Sequence, residues 1–208
     1  MGIDSLSTPL HQAVKKLCEG PDGLYYALLF QGGITCFDKD IEKFLPVRFD
    51  KPLELKDILD FCWNDGSLYL VTSQGLFESR IVRKTEGKHD FVLCLLNPEP
   101  LVRGKVAHLC SDGKTNLYFS VNQRKVVHYD VVAKKTSLIK EYSVVNRLFL
   151  KHGYLWICRL WDDIICYDLK TNEERVISME GKDQSEFSNS YVTDLVLKDN
   201  RTFYLTTW

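Results

Sequence analysis

Five ionisable residues stand at matching places along the chain: Lys16, Asp60, His108, Arg147 and Asp194, each two residues before Cys18, Cys62, Cys110, Phe149 and Val196. A carboxylate, an imidazole and a guanidinium held together have the means for acid–base chemistry, so one reading is a hydrolase or lyase built on Asp60, His108 and Arg147. The plainer reading is mutual neutralisation. Charges brought together away from water are costly unless paired, and such pairing would join Lys16 or His108 with Asp60 and Arg147 with Asp194.

Other chemistry finds little support. A column that accepts Cys18, Cys62, Cys110, Phe149 and Val196 is a packing column, as is the one that holds Cys36, His128 and Cys166. No two cysteines have C-x-x-C spacing, so no metal site is expected. The five histidines form no H-E-x-x-H, and there is no G-x-S-x-G elbow, phosphate loop or set of Rossmann glycines. No catalytic residue and no cofactor is assigned, and the expectation is a protein that is not an enzyme.

The elements that must position these residues come from a repeat. Short alternating apolar segments with Asp-Gly and His-Gly turns run from Val14 onward. Five segments align: VKKLCEGPDGLYYALLF from Val14, ILDFCWNDGSLYLV from Ile58, VAHLCSDGKTNLYFSV from Val106, VNRLFLKHGYLWICRL from Val145 and VTDLVLKDNRTFYLTTW from Val192. A β-branched residue opens each, and a large apolar one follows three later: Leu17, Phe61, Leu109, Leu148, Leu195. After the turn comes an apolar–aromatic pair: Leu24-Tyr25, Leu68-Tyr69, Leu117-Tyr118, Leu155-Trp156, Phe203-Tyr204. These pairs are 44, 49, 38 and 48 residues apart, the spacing of four-stranded repeat units. A third strand follows, ending in Phe37-Asp38, Tyr129-Asp130 and Tyr167-Asp168, with Glu78 set in the Asp column of the second unit.

In these features the chain resembles β-propeller blades of the WD-repeat-like kind, over nearly its whole length. Tyr167-Asp168 takes the place of that family's Trp-Asp, whereas Trp161-Asp162 falls in the preceding turn; the family's Gly-His pair is missing. The resemblance implies an all-β propeller of four four-stranded blades plus a half blade, an incomplete ring. The blades are expected at about 14–55, 56–104, 105–143 and 144–184, with a partial one at 185–208 and an N-terminal arm, 1–13, available as a closing strand. It also implies that first strands line a central channel, which makes Lys16, Asp60, His108, Arg147 and Asp194 a polar channel column.

Propellers recruit partners through loops on one face. Here those loops hold Arg159, Trp161, Asp162, Arg124, Lys125, Arg103 and Lys105. Arg and exposed Trp dominate binding hot spots, so Trp161 with its neighbours is the expected contact for a peptide or acidic segment of a protein partner. Homo- or hetero-association through an open edge after Trp208 is a further expectation. The polar loop 181–192 is read as a regulatory segment.

Composition bounds the rest. Lys+Arg is 27 against Asp+Glu 28, a net charge of −1, so no global field draws nucleic acid or an anionic membrane. Apolar runs such as Leu24–Phe30 fall far short of the roughly 18 residues of a membrane helix. Seven cysteines without pairing signatures read as reduced thiols, hence a cytoplasmic or nuclear protein.

Overall fold

The computed structural model describes residues 13–30, 32–39, 41–49, 58–84, 90–178, 191–198 and 202–207. The expected N-terminal closing strand, the loop from 181 to 190 and the edge at Trp208 lie outside them. Every element among the described residues is a strand. The chain divides into two compact units: Met1–Val106 with Gly113–Thr115, and Ala107–Asp112 with Asn116–Trp208.

The first unit holds β1 (Val14–Glu19), β2 (Tyr25–Leu29), β3 (Ile34–Asp38), β4 (Lys43–Phe49), β5 (Ile58–Asn64), β6 (Ser67–Thr72), β7 (Gly75–Lys84), β8 (Asp90–Leu95) and β9 (Val102–Arg103). Strands β1 to β4 and β5 to β8 are two antiparallel up-and-down sets. Val47–Phe49 of β4 runs parallel to Phe91–Leu93 of β8 and joins the sets into one sheet. The repeat does not announce this join. The first half of β4 pairs with β3, and its second half takes backbone partners from β8, which removes an exposed edge. Val47, Phe91 and Leu93 enter the same core as Tyr26, Leu28, Phe61, Leu70 and Phe77.

The second unit holds β10 (Val106–Ser111) from its second residue on, β11 (Asn116–Val121), β12 (Lys125–Asp130), β13 (Lys135–Glu141), β14 (Val145–Lys151), β15 (Tyr154–Arg159), β16 (Ile164–Asp168), β17 (Glu174–Ile177), β18 (Val192–Leu197) and β19 (Phe203–Thr207). Strands β10 to β13 and β14 to β17 form two four-stranded sheets, and β18 with β19 forms a two-stranded one. Tyr118, Val126, Leu148, Leu155 and Ile157 make one core cluster; Trp156, Cys158, Cys166, Val192 and Leu195 make the next.

Register corrects two columns read from the sequence. Cys18 lies opposite Tyr26, as Cys62 lies opposite Tyr69 and Phe149 opposite Trp156. Tyr26, not Tyr25, therefore belongs to the aromatic column, because the turn from Gly20 to Leu24 is one residue longer than that of the second unit of the repeat. Tyr69 lies opposite Glu78, just as Tyr26 faces Cys36 and Tyr118 faces His128. Glu78 thus shares the column of Cys36, His128 and Cys166, and Arg80 stands where Asp38, Asp130 and Asp168 do. Glu78 accepts hydrogen bonds from the Ser67 and Tyr69 hydroxyls. Asp130 and Asp168 accept turn amides, from Ala133 and from Lys170 and Thr171, the expected structural role.

One glycine is dictated by close packing. Gly75 opens β7 at φ +142°, and a Cβ there would stand 2.0 Å from the carbonyl oxygen of Val102 in β9. Gly66 has φ +77° but open space around it. Gly66→Ala is expected to cost about 1–2 kcal/mol, the left-handed penalty alone. Gly75→Ala is expected to cost clearly more in parallel chemical melts, because the β7–β9 pairing must also part.

Candidate functional site

The polar column is built by a recurring irregularity. In β1, β5, β14 and β18 the register slips by one residue between the opening β-branched residue and the ionisable one: Val14/Lys16, Ile58/Asp60, Val145/Arg147 and Val192/Asp194. At the matching place in β10, His108 has φ +56°. A residue and the third one after it point to opposite faces of a flat strand, but one extra residue between them brings both to the same face. Val14 and Leu17 share a face in this way, and Lys16 joins Cys18 on the other.

The extra residue also ties neighbouring first strands. The Lys15 ammonium donates to the Leu59 carbonyl at 2.6 Å, and the buried Asn146 amide donates to the Val192 carbonyl at 2.9 Å. Within the column, Lys16 Nζ lies 2.7 Å from Asp60 Oδ1, which also accepts the Phe61 amide. Burial opposes the Lys16 charge, but the Asp60 carboxylate together with the neighbouring Cys62 and Cys18 raises the ammonium's pKa. The expected Lys16–Asp60 pair is therefore present. The expected Arg147–Asp194 pair does not form: Asp194 Oδ1 accepts the Leu195 amide in an exposed position, and Arg147 Nε is buried with no hydrogen-bond partner among the described residues. In the first unit, Asp60 spends its one carboxylate on Lys16 and its own strand.

The docking residues of the second unit form one physically continuous edge. The β13–β14 connection links two turns: Tyr142 N donates to Arg124 O, Val145 N to Gln123 O, and Leu160 N to Val144 O. The Ser143 hydroxyl donates to Asp162. Arg124 and Lys125 are exposed at the first turn. At the second, Trp161 is 75% exposed with φ +56°, and Arg159 is held beside it by Asp162 Oδ2 at 2.6 Å and the Asp163 carbonyl at 3.0 Å. Arg103 and Lys105 belong to the first unit, both exposed, with Arg103 in an ion pair with Glu99.

The thiols behave as core. Burial pushes Cys18 up to about 11 and Cys36 and Cys158 up to about 12, so they are poor nucleophiles and poor metal ligands. No group of His, Cys, Asp and Glu suited to a metal occurs among the described residues.

Sequence reasoning missed a cleft of about 780 Å³ at the opposite end of these sheets, lined by Asp112, Asn116, Tyr118, Leu150, His152 and Tyr167 among others. Asn116 donates through its side-chain amide to Asp112 Oδ2 at 2.6 Å, which turns its Oδ1 toward His128 Nε2 at 2.7 Å. An amide oxygen only accepts, so that imidazole nitrogen carries a proton, and Nδ1 lies 3.2 Å from the Ser137 hydroxyl. Tyr118, Tyr129-flanked His128 and Ser137 lie on neighbouring strands, and the His128 ring stacks on Tyr118. Burial, then Asp112, pushes the Tyr118 phenol up to about 12. The signal in the chain is the Asp112–Asn116 turn, which local spacing alone reads as an ordinary loop.

No protein-family model matches the sequence, and no curated protein matches it. Solved structures do. The extracellular domain of a hybrid two-component system from B. thetaiotaomicron superposes with TM-score 0.71 at 13% identity, covering 100% of this chain and 29% of that one. An auxiliary nutrient binding protein from Bacteroides thetaiotaomicron gives 0.61 at 15% identity, covering 94% and 52%. A chain of the mitotic checkpoint complex gives 0.62 at 15%, covering 96% and 61%. The fold is a β-propeller. At these identities the likeness concerns the fold alone, and the chain spans less than two thirds of each of the three.

Behind the docking edge, Glu174 of β17 clamps the connection: it accepts the Tyr142 hydroxyl at 2.5 Å and the Lys140 ammonium at 2.6 Å. Burial works against the Glu174 charge, but these two partners win and hold its pKa below the ordinary carboxylate value. A depressed pKa contributes stability above the unfolded value, about 4.3, that is lost as pH falls through the folded one. Glu174→Gln is thus expected to melt at lower temperature than the parent chain at pH 7, with the gap closing toward pH 3.

Proposed function

We propose that this propeller is a non-enzymatic protein-interaction platform that binds a peptide or acidic segment of a protein partner on the edge formed by Arg124, Lys125, Arg159, Trp161 and Asp162. The observation that carries the reading is the hydrogen-bonded β13–β14 connection, which holds two turns together and presents the exposed Trp161 beside a fixed guanidinium. Rigid display lowers the entropic cost of binding. Two exposed cations supply attraction for an acidic segment. Arg103 and Lys105 of the first unit carry the same chemistry.

The WD-repeat-like character of the blades draws support from the turn-capping Asp130 and Asp168. A cytoplasmic or nuclear setting is in keeping with seven free thiols. The competing channel-enzyme reading needs Asp60 available as acid or base, and its engagement by Lys16 and the Phe61 amide favours the platform instead.

The test is fluorescence anisotropy with a short fluorescein-labelled peptide of alternating Glu and Leu. Binding is expected to weaken about tenfold in Trp161→Ala, roughly 1.4 kcal/mol, and to lose most of its salt dependence in Arg124→Glu/Lys125→Glu. Val132→Ala, exposed in the β12–β13 turn, is expected to bind as the parent does. Equal binding by all of these variants, or none by the parent chain, would overturn the proposal.

A further inference from the structure

The cleft of about 780 Å³ lies between the β10–β13 and β14–β17 sheets of the second unit, and its volume suits a small molecule. Asp112 and Asn116 border it from the β10–β11 hairpin, Tyr118 and His128 from the strands of the first sheet, and Tyr167 and Asn172 from the second. Among the described residues no Lys or Arg lines it, and Asp112 is the one carboxylate there.

The hydrogen-bonding groups of the cleft are not all used by the fold. Tyr118 is only 7% exposed and its ring stacks on His128 at 5.2 Å, yet its hydroxyl has no hydrogen-bond partner among the described residues. Burial and the Asp112 charge push that phenol up to about 12, so it remains a donor at neutral pH. A donor in so enclosed a place needs an acceptor from whatever fills the cleft. On the side of the second sheet, Tyr167 donates its hydroxyl to Asn172 Oδ1 at 2.9 Å, which leaves the Asn172 amide nitrogen as a second donor. For acceptors, each Asp112 oxygen takes one N–H of Asn116, at 3.0 and 2.6 Å, and a carboxylate oxygen has lone pairs for another.

These groups select the chemistry of the occupant. An anion would meet Asp112 with no Lys or Arg in the lining to offset it. A cation would suit Asp112 but give the Tyr118 and Asn172 donors nothing to bond. Hydroxyl groups both donate and accept, and they carry no charge. The half-buried Tyr167 and His128 rings and the exposed Leu138 add flat apolar surface, which matches the C–H face of a sugar ring. We propose that the cleft binds a neutral saccharide, whose ring stacks on Tyr167 while its hydroxyl groups accept from Tyr118 and Asn172 and donate to Asp112. The contacts from Asp112 through Asn116 and His128 to Ser137 hold the first wall in place before the sugar arrives, which lowers the cost of ordering it. The site is independent of the peptide-binding edge at the other end of the sheets.

Saturation-transfer NMR of the 208-residue chain with glucose, galactose, mannose and N-acetylglucosamine tests this, with choline and inorganic phosphate as cationic and anionic probes. At least one sugar is expected to bind, and neither charged probe. Tyr118→Phe removes only the hydroxyl, and Asn172→Gly removes the amide while tolerating φ +62°. Each is expected to weaken sugar binding about tenfold, the loss of one hydrogen bond. Tyr118→Phe is expected to melt as the parent chain does, because its hydroxyl makes no bond to the fold. Trp161→Ala is expected to bind sugar unchanged. The methyl glycoside of the bound sugar separates two sources, and either result upholds the site: equal binding assigns it to the end of a glycan, loss of binding to a free sugar. No sugar binding, binding of choline or phosphate instead, equal sugar binding by both variants and the parent, or a lower melt in Tyr118→Phe would overturn the proposal.

Discussion

The extra residue in the first strands β1, β5, β14 and β18 is the constraint on which the rest depends. Without the slip between Val145 and Arg147, or between Ile58 and Asp60, the β-branched residue and the large apolar residue three later would point to opposite faces. Neither face would then be apolar enough to cover a neighbouring sheet. With it, Ile58 and Phe61 enter one core, Val145 and Leu148 another, Val192 and Leu195 a third. Burying each such pair contributes several kcal/mol, at about 1.5–3 kcal/mol per side chain. The same slip leaves the ionisable residue on the opposite face, where Asp60 can reach Lys16.

The bulge also explains how polar groups survive near the inner strands. Lys15 and Asn146 are the inserted residues in β1 and β14, and each spends a donor on a carbonyl of the first strand that follows. The Asn146 bond satisfies the carbonyl of the buried Val192, whereas Lys15 reaches the carbonyl of the exposed Leu59. Position by position the partners differ, which is why Lys16 finds a carboxylate while Asp194 turns to the amide of Leu195.

The candidate binding edge and the cleft occupy opposite ends of the same sheets in the second unit. The edge is held by backbone hydrogen bonds from the β13–β14 connection and backed by the Lys140–Glu174–Tyr142 cluster. The cleft is held by side chains, in a chain from Asp112 through Asn116 and His128 to Ser137. Backbone hydrogen bonds from the β13–β14 connection hold the turn in which Trp161 stands exposed at φ +56°.

The sequence by itself determined the strand–turn–strand order of each repeat, its turns and most of its packing columns, and it offered Trp161 beside Arg159 as a contact residue, because these follow from alternation and turn chemistry within a dozen residues. Even there, a single added turn residue moved the aromatic column from Tyr25 to Tyr26, since face parity flips with each residue. Only the tertiary structure decided that β4 and β8 run parallel, that Glu78 belongs with His128 rather than with the aspartates, that Arg147 and Asp194 do not pair, and that Asn116, His128 and Ser137 line one cleft. Each of these joins residues distant in the chain, and local patterning holds no information about which strand edge or side chain will arrive opposite.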